Sequence, residues 1–183
     1  MTKYYHGLAG GIPYWYQEEI FKESVKTLES ILTLGGIYSR EILEKYGFDF
    51  SEKLAPYNGD SYISVCIENP DAEEFRGSNV GLDSSFFRYV RRKIAIEFND
   101  DLEEKCLFRK EPYLHLPGER QILNSIPISN IKRVLVGLNG EIQQQALKEI
   151  QKLCEPYNIS VVTFDEAKEK DNLNQKNLVK EKK

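Results

Sequence analysis

Four runs rich in β-branched and aromatic residues constrain the fold of this chain more than any other feature of its sequence. They are SYISVCIEN at 61–69, KIAIEFN at 93–99, KRVLVGL at 132–138 and ISVVTF at 159–164. Runs of this composition between polar or glycine-containing segments are typical of β-strands. Because most of the predicted strands follow one another without a long intervening helix, the pattern favours an α+β fold over a doubly wound parallel sheet.

Two other segments carry apolar residues at helical spacing. The first runs from 17 to 34 and stops at a pair of glycines, and the second covers 141–157. A shorter helix over 39–47 is predicted from the N-cap residue Ser39 and the closing Gly47. The remaining patterns are weaker: strands at KYYHGL, CLFRK and ERQILNS, and a short helix or turn at SSFFRYV.

The length of the chain, 183 residues, suits one domain with a hydrophobic core and would be cramped for two. We assign residues 1–164 to that domain. The last 19 residues contain 11 charged side chains, so 165–183 are expected to form a disordered tail or a frayed helix. No apolar run approaches the roughly 18 to 20 residues of a membrane-spanning helix, which predicts a cytoplasmic protein without membrane contacts.

Charge and missing motifs argue against several function classes. A net charge of −4 argues against non-specific coating of nucleic acid, although RYVRRK at 88–93 could form a local basic surface. The absence of GxGxxG, GxxxxGKS/T, HExxH, GxSxG and CxxC argues against Rossmann dehydrogenases, P-loop NTPases, zinc proteases and typical serine hydrolases. Cys66, Cys106 and Cys154 lie far apart in apolar stretches, which is typical of buried free thiols.

The order of several motifs resembles the ADP-ribosyltransferase superfamily. YHG ends the first strand, GGIYSR follows the first helix, YISVC opens the next strong strand, and PGERQI leads into IPISNIKRVLVG. In the histidine-containing branch, the first core strand often carries YHG or HGT and a late strand begins with the catalytic glutamate. The late block is similar to that of DarT-type DNA ADP-ribosyltransferases. Over about residues 3–137 the resemblance implies two packed, mainly antiparallel sheets with flanking helices.

This resemblance assigns the catalytic role to Glu119. Cleavage of the nicotinamide–ribose bond of NAD passes through an oxocarbenium-like state, as glycoside hydrolysis does, and a nearby carboxylate stabilises the developing positive charge. After the rigid Pro117-Gly118 turn, a glutamate at the start of a strand could present its carboxylate at a defined place. NAD is then a substrate, and no metal is expected.

NAD binding is assigned by the same resemblance to earlier residues. His6 would hydrogen-bond the adenosine-side ribose, and Gly7 would let the ligand approach the backbone closely. Arg40 could reach a pyrophosphate or the adjacent ribose through paired donors. Ser64 matches the place of a serine in the arginine-targeting branch. An aromatic ring would stack on nicotinamide, and the rings in position are those of Tyr62, Phe86, Phe87 and Tyr89.

Each of these residues also has a purely structural interpretation. Glu119 could be a surface residue beside Arg120, and His6 could be an ordinary strand histidine. Arg40 could be a solvent-facing arginine at a helix entry. An aromatic ring at strand or helix spacing is more often part of the core than of a ligand site.

The residue two positions before Glu119 bears on the acceptor. Arginine-specific transferases carry a glutamate or glutamine there, whereas this chain has Pro117. The resemblance therefore implies a macromolecular acceptor other than arginine, either a nucleic-acid base or another protein side chain, with a small molecule as a further option. The loop EPYLHLPG occupies the acceptor-contacting position, where Tyr113 suits stacking on a base and His115 would orient the loop.

Two other functions stay open. A non-catalytic nucleotide-binding or protein-interaction module of the same fold, such as a regulator in a phage-defence or toxin system, would bind without turnover. RNA 2'-phosphotransferase shares the fold and a YHG-like motif, but it uses several arginines and a histidine in place of the glutamate. PGERQI fits that enzyme less well.

Overall fold

The computed structural model describes residues 1–8, 17–48, 61–73, 76, 80–83, 94–110, 118–137 and 142–182. The strands in these ranges are β1 Lys3–Gly7, β2 Gly36–Tyr38, β3 Tyr62–Glu68, β4 Ile94–Phe98, β5 Glu119–Leu123, β6 Ser125–Pro127, β7 Ile131–Val136 and β8 Ser160–Thr163. The helices are α1 Gln17–Leu34, α2 Arg40–Lys45, α3 Leu102–Lys105, α4 Ile142–Cys154 and α5 Phe164–Glu181, with short 3-10 turns at Gly81–Asp83, Ile128–Asn130 and Glu155–Tyr157.

The strands form a six-stranded sheet in the order β5-β3-β1-β4-β7-β8 and a two-stranded sheet of β2 and β6. All neighbouring strands are antiparallel except β7 and β8, which are parallel and joined through α4. The protein is thus a mixed α/β structure with a mixed six-stranded sheet, a two-stranded sheet and helices. In this coarser form the predicted fold class is confirmed, and the parallel pair adds a βαβ unit to it.

The six-stranded sheet buries both of its faces. Side chains alternate along each strand, so one face presents Tyr4, Ile67 and Ile96 to the core cluster that includes α1 and α4. The opposite face presents Tyr5, Cys66, Ala95 and Leu135, which pack with Leu82 of a 3-10 turn and Ala167 of α5. Helices therefore cover the sheet on two sides.

The two-stranded sheet depends on a glycine at its start. Gly35 has a φ of 80° and ends α1, which returns the chain so that Ile128 N–H donates to Gly35 O at 2.9 Å. A Cβ on Gly36 would lie 2.7 Å from Ile126 O, so only glycine permits this close pairing of β2 and β6. Ser39 then caps α2 by accepting from Ile42 N–H, as predicted.

The described part of the charged tail is helical: of the two expectations for 165–183, disorder or a frayed helix, the structure shows a helix as far as Glu181. α5 begins after Thr163, whose hydroxyl accepts from Glu166 N–H while the Glu166 carboxylate accepts from Thr163 N–H. This capping box satisfies two backbone donors, and the buried Ala167 anchors the first turn on the sheet. Among the described residues, no helix has both the length and the apolar character needed to cross a membrane.

Candidate functional site

Three of the segments with assigned roles lie on adjacent strands. β1 carries His6 and Gly7, β3 carries Tyr62 and Ser64, and β5 opens with Glu119. The sheet order places β3 between the other two strands. Long-range antiparallel pairing thus brings together residues that are far apart in the sequence.

Glu119 is held at the first position of β5. Gly118 precedes it with a φ of 79°, and Gly118 O accepts from Ile67 N–H at 2.7 Å. Glu119 pairs with Cys66, which in turn pairs with Tyr5. Directly opposite residues share a face of a sheet, so the half-buried Glu119 side chain lies on the face of Cys66 and Tyr5.

His6 lies beside this row but on the other face. It follows Tyr5 in β1, so alternation turns its side chain away from the face of Glu119. Two strand spacings separate the backbones of His6 and Glu119, which is about 10 Å. The structure therefore brings the two residues near each other without placing their side chains on a common face.

The His6 ring is oriented by β3. β1 pairs with β3 from Lys3 to Tyr5, and with β4 as far as Gly7. Next to the last β1–β3 pair, His6 Nδ1 lies 2.7 Å from Ser64 O. A carbonyl oxygen only accepts, so Nδ1 carries the hydrogen and donates this bond, which fixes the orientation of the ring and of Nε2.

Five side chains form a polar strip on the β3–β5 part of the sheet, on the face of Glu119. Ser64 pairs with Gln121, and the Arg109 guanidinium donates to Gln121 Oε1 at 2.9 Å. The same guanidinium lies 4.9 Å from the centre of the Tyr62 ring, within range of a cation–π interaction. The members of the strip are Tyr62, Ser64, Arg109, Glu119 and Gln121.

Arg109 and Gln121 were not among the residues singled out from the sequence. The signal for Gln121 was present, because alternation in ERQIL puts it on the same face as Glu119. Arg109 belongs to the weakly predicted strand CLFRK, which lines the outer edge of β5 through a bridge between Phe108 and Ile122. Its contact with Tyr62 depends on strand order, which the sequence does not encode locally.

Arg40 lies at the other end of the strip from Glu119. Ser39 N–H donates to Asn124 O at 2.7 Å, and Asn124 N–H donates to Ser61 O at 2.9 Å, so the start of α2 adjoins the start of β3. Glu119 and Leu123 bound β5, and four residue steps of a strand span about 13 Å. The Arg40 side chain is half-buried, and its backbone lies near the Leu123 end of β5, away from Glu119.

Five predicted residues lie outside the described residues. They are Phe86, Phe87 and Tyr89, proposed for nicotinamide stacking, and Tyr113 and His115, proposed for the acceptor loop. Of the aromatic residues named for nicotinamide, Tyr62 is the one that the structure describes.

The cysteines are free, as predicted, with Cys66 and Cys154 buried and Cys106 half-buried. Burial raises the pKa of the Cys154 thiol to about 11, so this group is protonated at neutral pH and is a poor nucleophile. Burial, with a smaller contribution from Asp101, also raises the pKa of Cys106. In the part of the chain that the structure describes, no three histidine, cysteine or acidic side chains form a group that could hold a metal.

The strip combines groups that suit a charged, ring-containing ligand. A carboxylate stabilises a cationic transition state, a guanidinium binds an anion, and an amide and a hydroxyl offer donors and acceptors. No protein-family model matches the chain, and no curated protein matches it significantly. Function is therefore inferred from these residues and their geometry.

Proposed function

We propose that the chain is an NAD-dependent ADP-ribosyltransferase with the fold of that superfamily and Glu119 as its catalytic carboxylate. The observation that carries this proposal is the adjacency of β1, β3 and β5. The motif resemblance assigns ribose binding to His6 of β1 and catalysis to Glu119 of β5, and it names Tyr62 of β3 among the aromatic residues for nicotinamide stacking. Their adjacency supports the proposal because one ligand must reach all of these segments.

In the proposed reaction, nicotinamide leaves with the electron pair of its bond to ribose, and positive charge develops on the ribose ring. The Glu119 carboxylate stabilises that charge. A nucleophilic atom of the acceptor then bonds to the ribose carbon and loses its proton, for which the same carboxylate is a base. Because Gly118 and the pairing with Cys66 hold the Glu119 backbone, little reorganisation is needed.

Binding of NAD would use the remaining described residues. Arg109 covers one face of the Tyr62 ring, so nicotinamide would stack on the opposite face. His6 Nε2 would accept from a ribose hydroxyl, and Arg40 would contact the pyrophosphate. Pro117, two residues before Glu119, argues for an acceptor other than arginine, namely a nucleic-acid base or another protein side chain.

Replacement of the carboxylate by an amide tests the catalytic assignment. Glu119→Gln should lower kcat for release of nicotinamide and transfer of labelled ADP-ribose by about 100- to 1,000-fold, because charge stabilisation in the transition state is lost. Stabilisation of the protein by NAD should change little. The assay pairs labelled NAD with single-stranded DNA and with a mixture of proteins as acceptors.

The matched control is Glu149→Gln, which removes an exposed carboxylate of α4 and should leave transfer unchanged. Full activity of Glu119→Gln would contradict the assignment. A thermal-shift titration with NAD and with nicotinamide-free analogues separates binding from catalysis, since any ligand of the folded state raises Tm. No shift at millimolar NAD would reject the proposal, and a shift without turnover would favour the non-catalytic module.

A further inference from the structure

The outer edge of β8 faces a groove that lies far from the β3–β5 strip. β8 ends the six-stranded sheet and pairs with β7 on its inner side. The groove beside it has a volume of about 570 Å³ and is bounded by α4, the Glu155–Tyr157 turn and β8. Since β1, β4 and β7 separate β8 from β3, this surface is independent of the proposed transferase site.

The hydrogen bonds around β8 show which backbone groups point into the groove. Ile159 N–H donates to Cys154 O at 3.3 Å, and Thr163 N–H donates to Glu166 Oε2 at 3.1 Å, so neither donates to β7. In a parallel ladder, alternate residues direct their N–H and C=O to the same side. Val161, midway between them, therefore directs both groups into the groove, where no strand among the described residues pairs with it.

Two lysines of α4 line the groove beside this edge. Lys148 and Lys152 are exposed, line the groove and form no ion pair within the described ranges. Glu155 is the one acidic residue that lines it in the described part of the chain. Four residues along a helix rise about 6 Å, and two residues along a strand rise about 6.7 Å. The spacing of the two ammonium groups thus matches the spacing of carboxylates at alternate positions of an extended chain.

We propose that this groove binds an extended peptide with acidic side chains at alternate positions, which adds to the sheet as an antiparallel strand beside β8. The peptide residue opposite Val161 exchanges two hydrogen bonds with its N–H and C=O. Directly opposite residues share a face, so the side chain of that peptide residue lies on the α4 side, near Lys148. The residue two positions on, opposite Ile159, lies near Lys152.

A second copy of the chain fits the same edge less well. A two-fold axis between two β8 strands would pair Val161 with itself and would place the two α4 helices side by side. Lys148 and Lys152 of both copies would then line one seam, where like charges repel. The positive groove therefore favours an acidic peptide, and self-association becomes an outcome that the experiment must detect.

A capped heptapeptide that alternates valine with glutamate is the probe, titrated calorimetrically into the full chain at low ionic strength. The double variant Lys148→Glu/Lys152→Glu should weaken its binding about tenfold and should gain affinity for the peptide with lysine in place of glutamate. Lys22→Glu/Lys26→Glu is the matched control. These lysines are exposed and have the same spacing on α1, and their replacement changes the net charge by the same amount.

Methylation of peptide nitrogens distinguishes strand addition from simple charge attraction. Glutamates that face Lys148 and Lys152 also direct their N–H groups to β8, so N-methylation of the glutamates should abolish binding. N-methylation of the valines blocks the N–H groups on the edge of the peptide that faces away from β8, and should leave binding intact. Equal binding of both methylated peptides, no binding at millimolar peptide, or unchanged affinity of the double variant would overturn the proposal. A dimer of the unliganded chain in analytical ultracentrifugation, lost in Val161→Pro, would assign the edge to a second copy.

Discussion

Glu97 is the most deeply buried charged residue that the structure describes, and its surroundings explain how it is tolerated. Its register partner is Arg133, after which the pairing shifts so that Phe98 opposes Ile131. Lys132 is therefore the extra residue of a β-bulge, and such a bulge lets two residues face one partner. The Arg133 guanidinium donates to Glu97 Oε2, and Lys132 Nζ lies 3.9 Å from Glu97 Oε1.

Removal of the Glu97 charge should destabilise the protein strongly. Glu97→Gln keeps the shape of the side chain but leaves the mostly buried Arg133 guanidinium without its counter-charge, which costs about 3 kcal/mol of the free energy of unfolding. Urea denaturation measures this loss. Lys132→Met, which removes the more exposed and more distant cation, should cost less than about 0.5 kcal/mol. Equal losses for the two variants would contradict this account of the bulge.

Gly36→Ala should also destabilise the protein, for a steric reason. The added Cβ would meet Ile126 O at 2.7 Å, and overpacking of this kind costs about 1–3 kcal/mol. Gly47→Ala is the control, because its Cβ would meet nothing within 4 Å and only its φ of 91° opposes a side chain. Chemical denaturation should show the larger loss for Gly36→Ala, and the reverse order would contradict the close pairing of β2 and β6.

Among the helices, α5 shows how a highly charged segment can be ordered by its first turn. Its composition alone predicts disorder or fraying, since few apolar side chains are available for burial. The capping box of Thr163 and Glu166 and the burial of Ala167 supply the start that the composition does not reveal. Among the side chains described further along α5, Leu173 and Val179 are largely exposed, so the described apolar contacts of the helix lie at its N-terminal end.

Loss of the cap should therefore destabilise the whole of α5. Thr163→Ala removes the hydroxyl that accepts from Glu166 N–H and should cost about 1 kcal/mol, seen as faster amide hydrogen exchange along the helix. Thr33→Ala is the matched control, since Thr33 is exposed inside α1 and donates to Glu29 O. Alanine should be tolerated there or slightly stabilising. Unchanged exchange in Thr163→Ala would mean that other contacts hold the helix.

Across the domain as a whole, one hydrogen bond couples the first strand to a distant helix. Tyr4 OH donates to Glu103 Oε2 at 3.1 Å, joining β1 to α3. Burial, and then the negative charge of Glu103, raise the pKa of Tyr4 from 10 to about 12. The neutral phenol is thus preferred in the folded state, and ionisation of Tyr4 opposes folding.

The pH dependence follows from that shift. Between about pH 10 and pH 12 the folded chain retains a proton on Tyr4 that the unfolded chain has lost. The contribution of the neutral Tyr4 to the free energy of unfolding is therefore fully present below pH 10 and is lost as the pH rises to 12. Denaturant unfolding at stepped alkaline pH should show this fall, and Tyr4→Phe should lack this part of it. The buried Cys154 thiol adds a similar fall in stability between pH 9 and about pH 11. This fall occurs in both wild type and Tyr4→Phe, so it cancels when the two profiles are subtracted. Tyr46→Phe, which changes an exposed ring, should leave the profile unchanged.

Local patterns were sufficient for most of the longer strands and helices of this protein. Alternation and helical spacing extend over only a few residues, so β3, β4, β7 and β8 and the helices α1 and α4 could be predicted close to their observed bounds. The capped start of α2 at Ser39 was also readable, because a cap contacts its own first turn. The short strands β2 and β6 were missed, since three residues carry too little pattern to detect.

Strand order, register and the contacts across strands arose only from tertiary packing. The placement of β3 between β1 and β5, the opposite faces of His6 and Glu119, and the stacking of Arg109 on Tyr62 all join segments distant in sequence. No local rule specifies which strands become neighbours, because that choice depends on how all apolar faces are buried at once. Motif order could therefore nominate Glu119 and His6, and alternation in ERQIL could have added Gln121, whereas the place of Arg109 and the position of β8 at the end of the described sheet became visible only in the assembled structure.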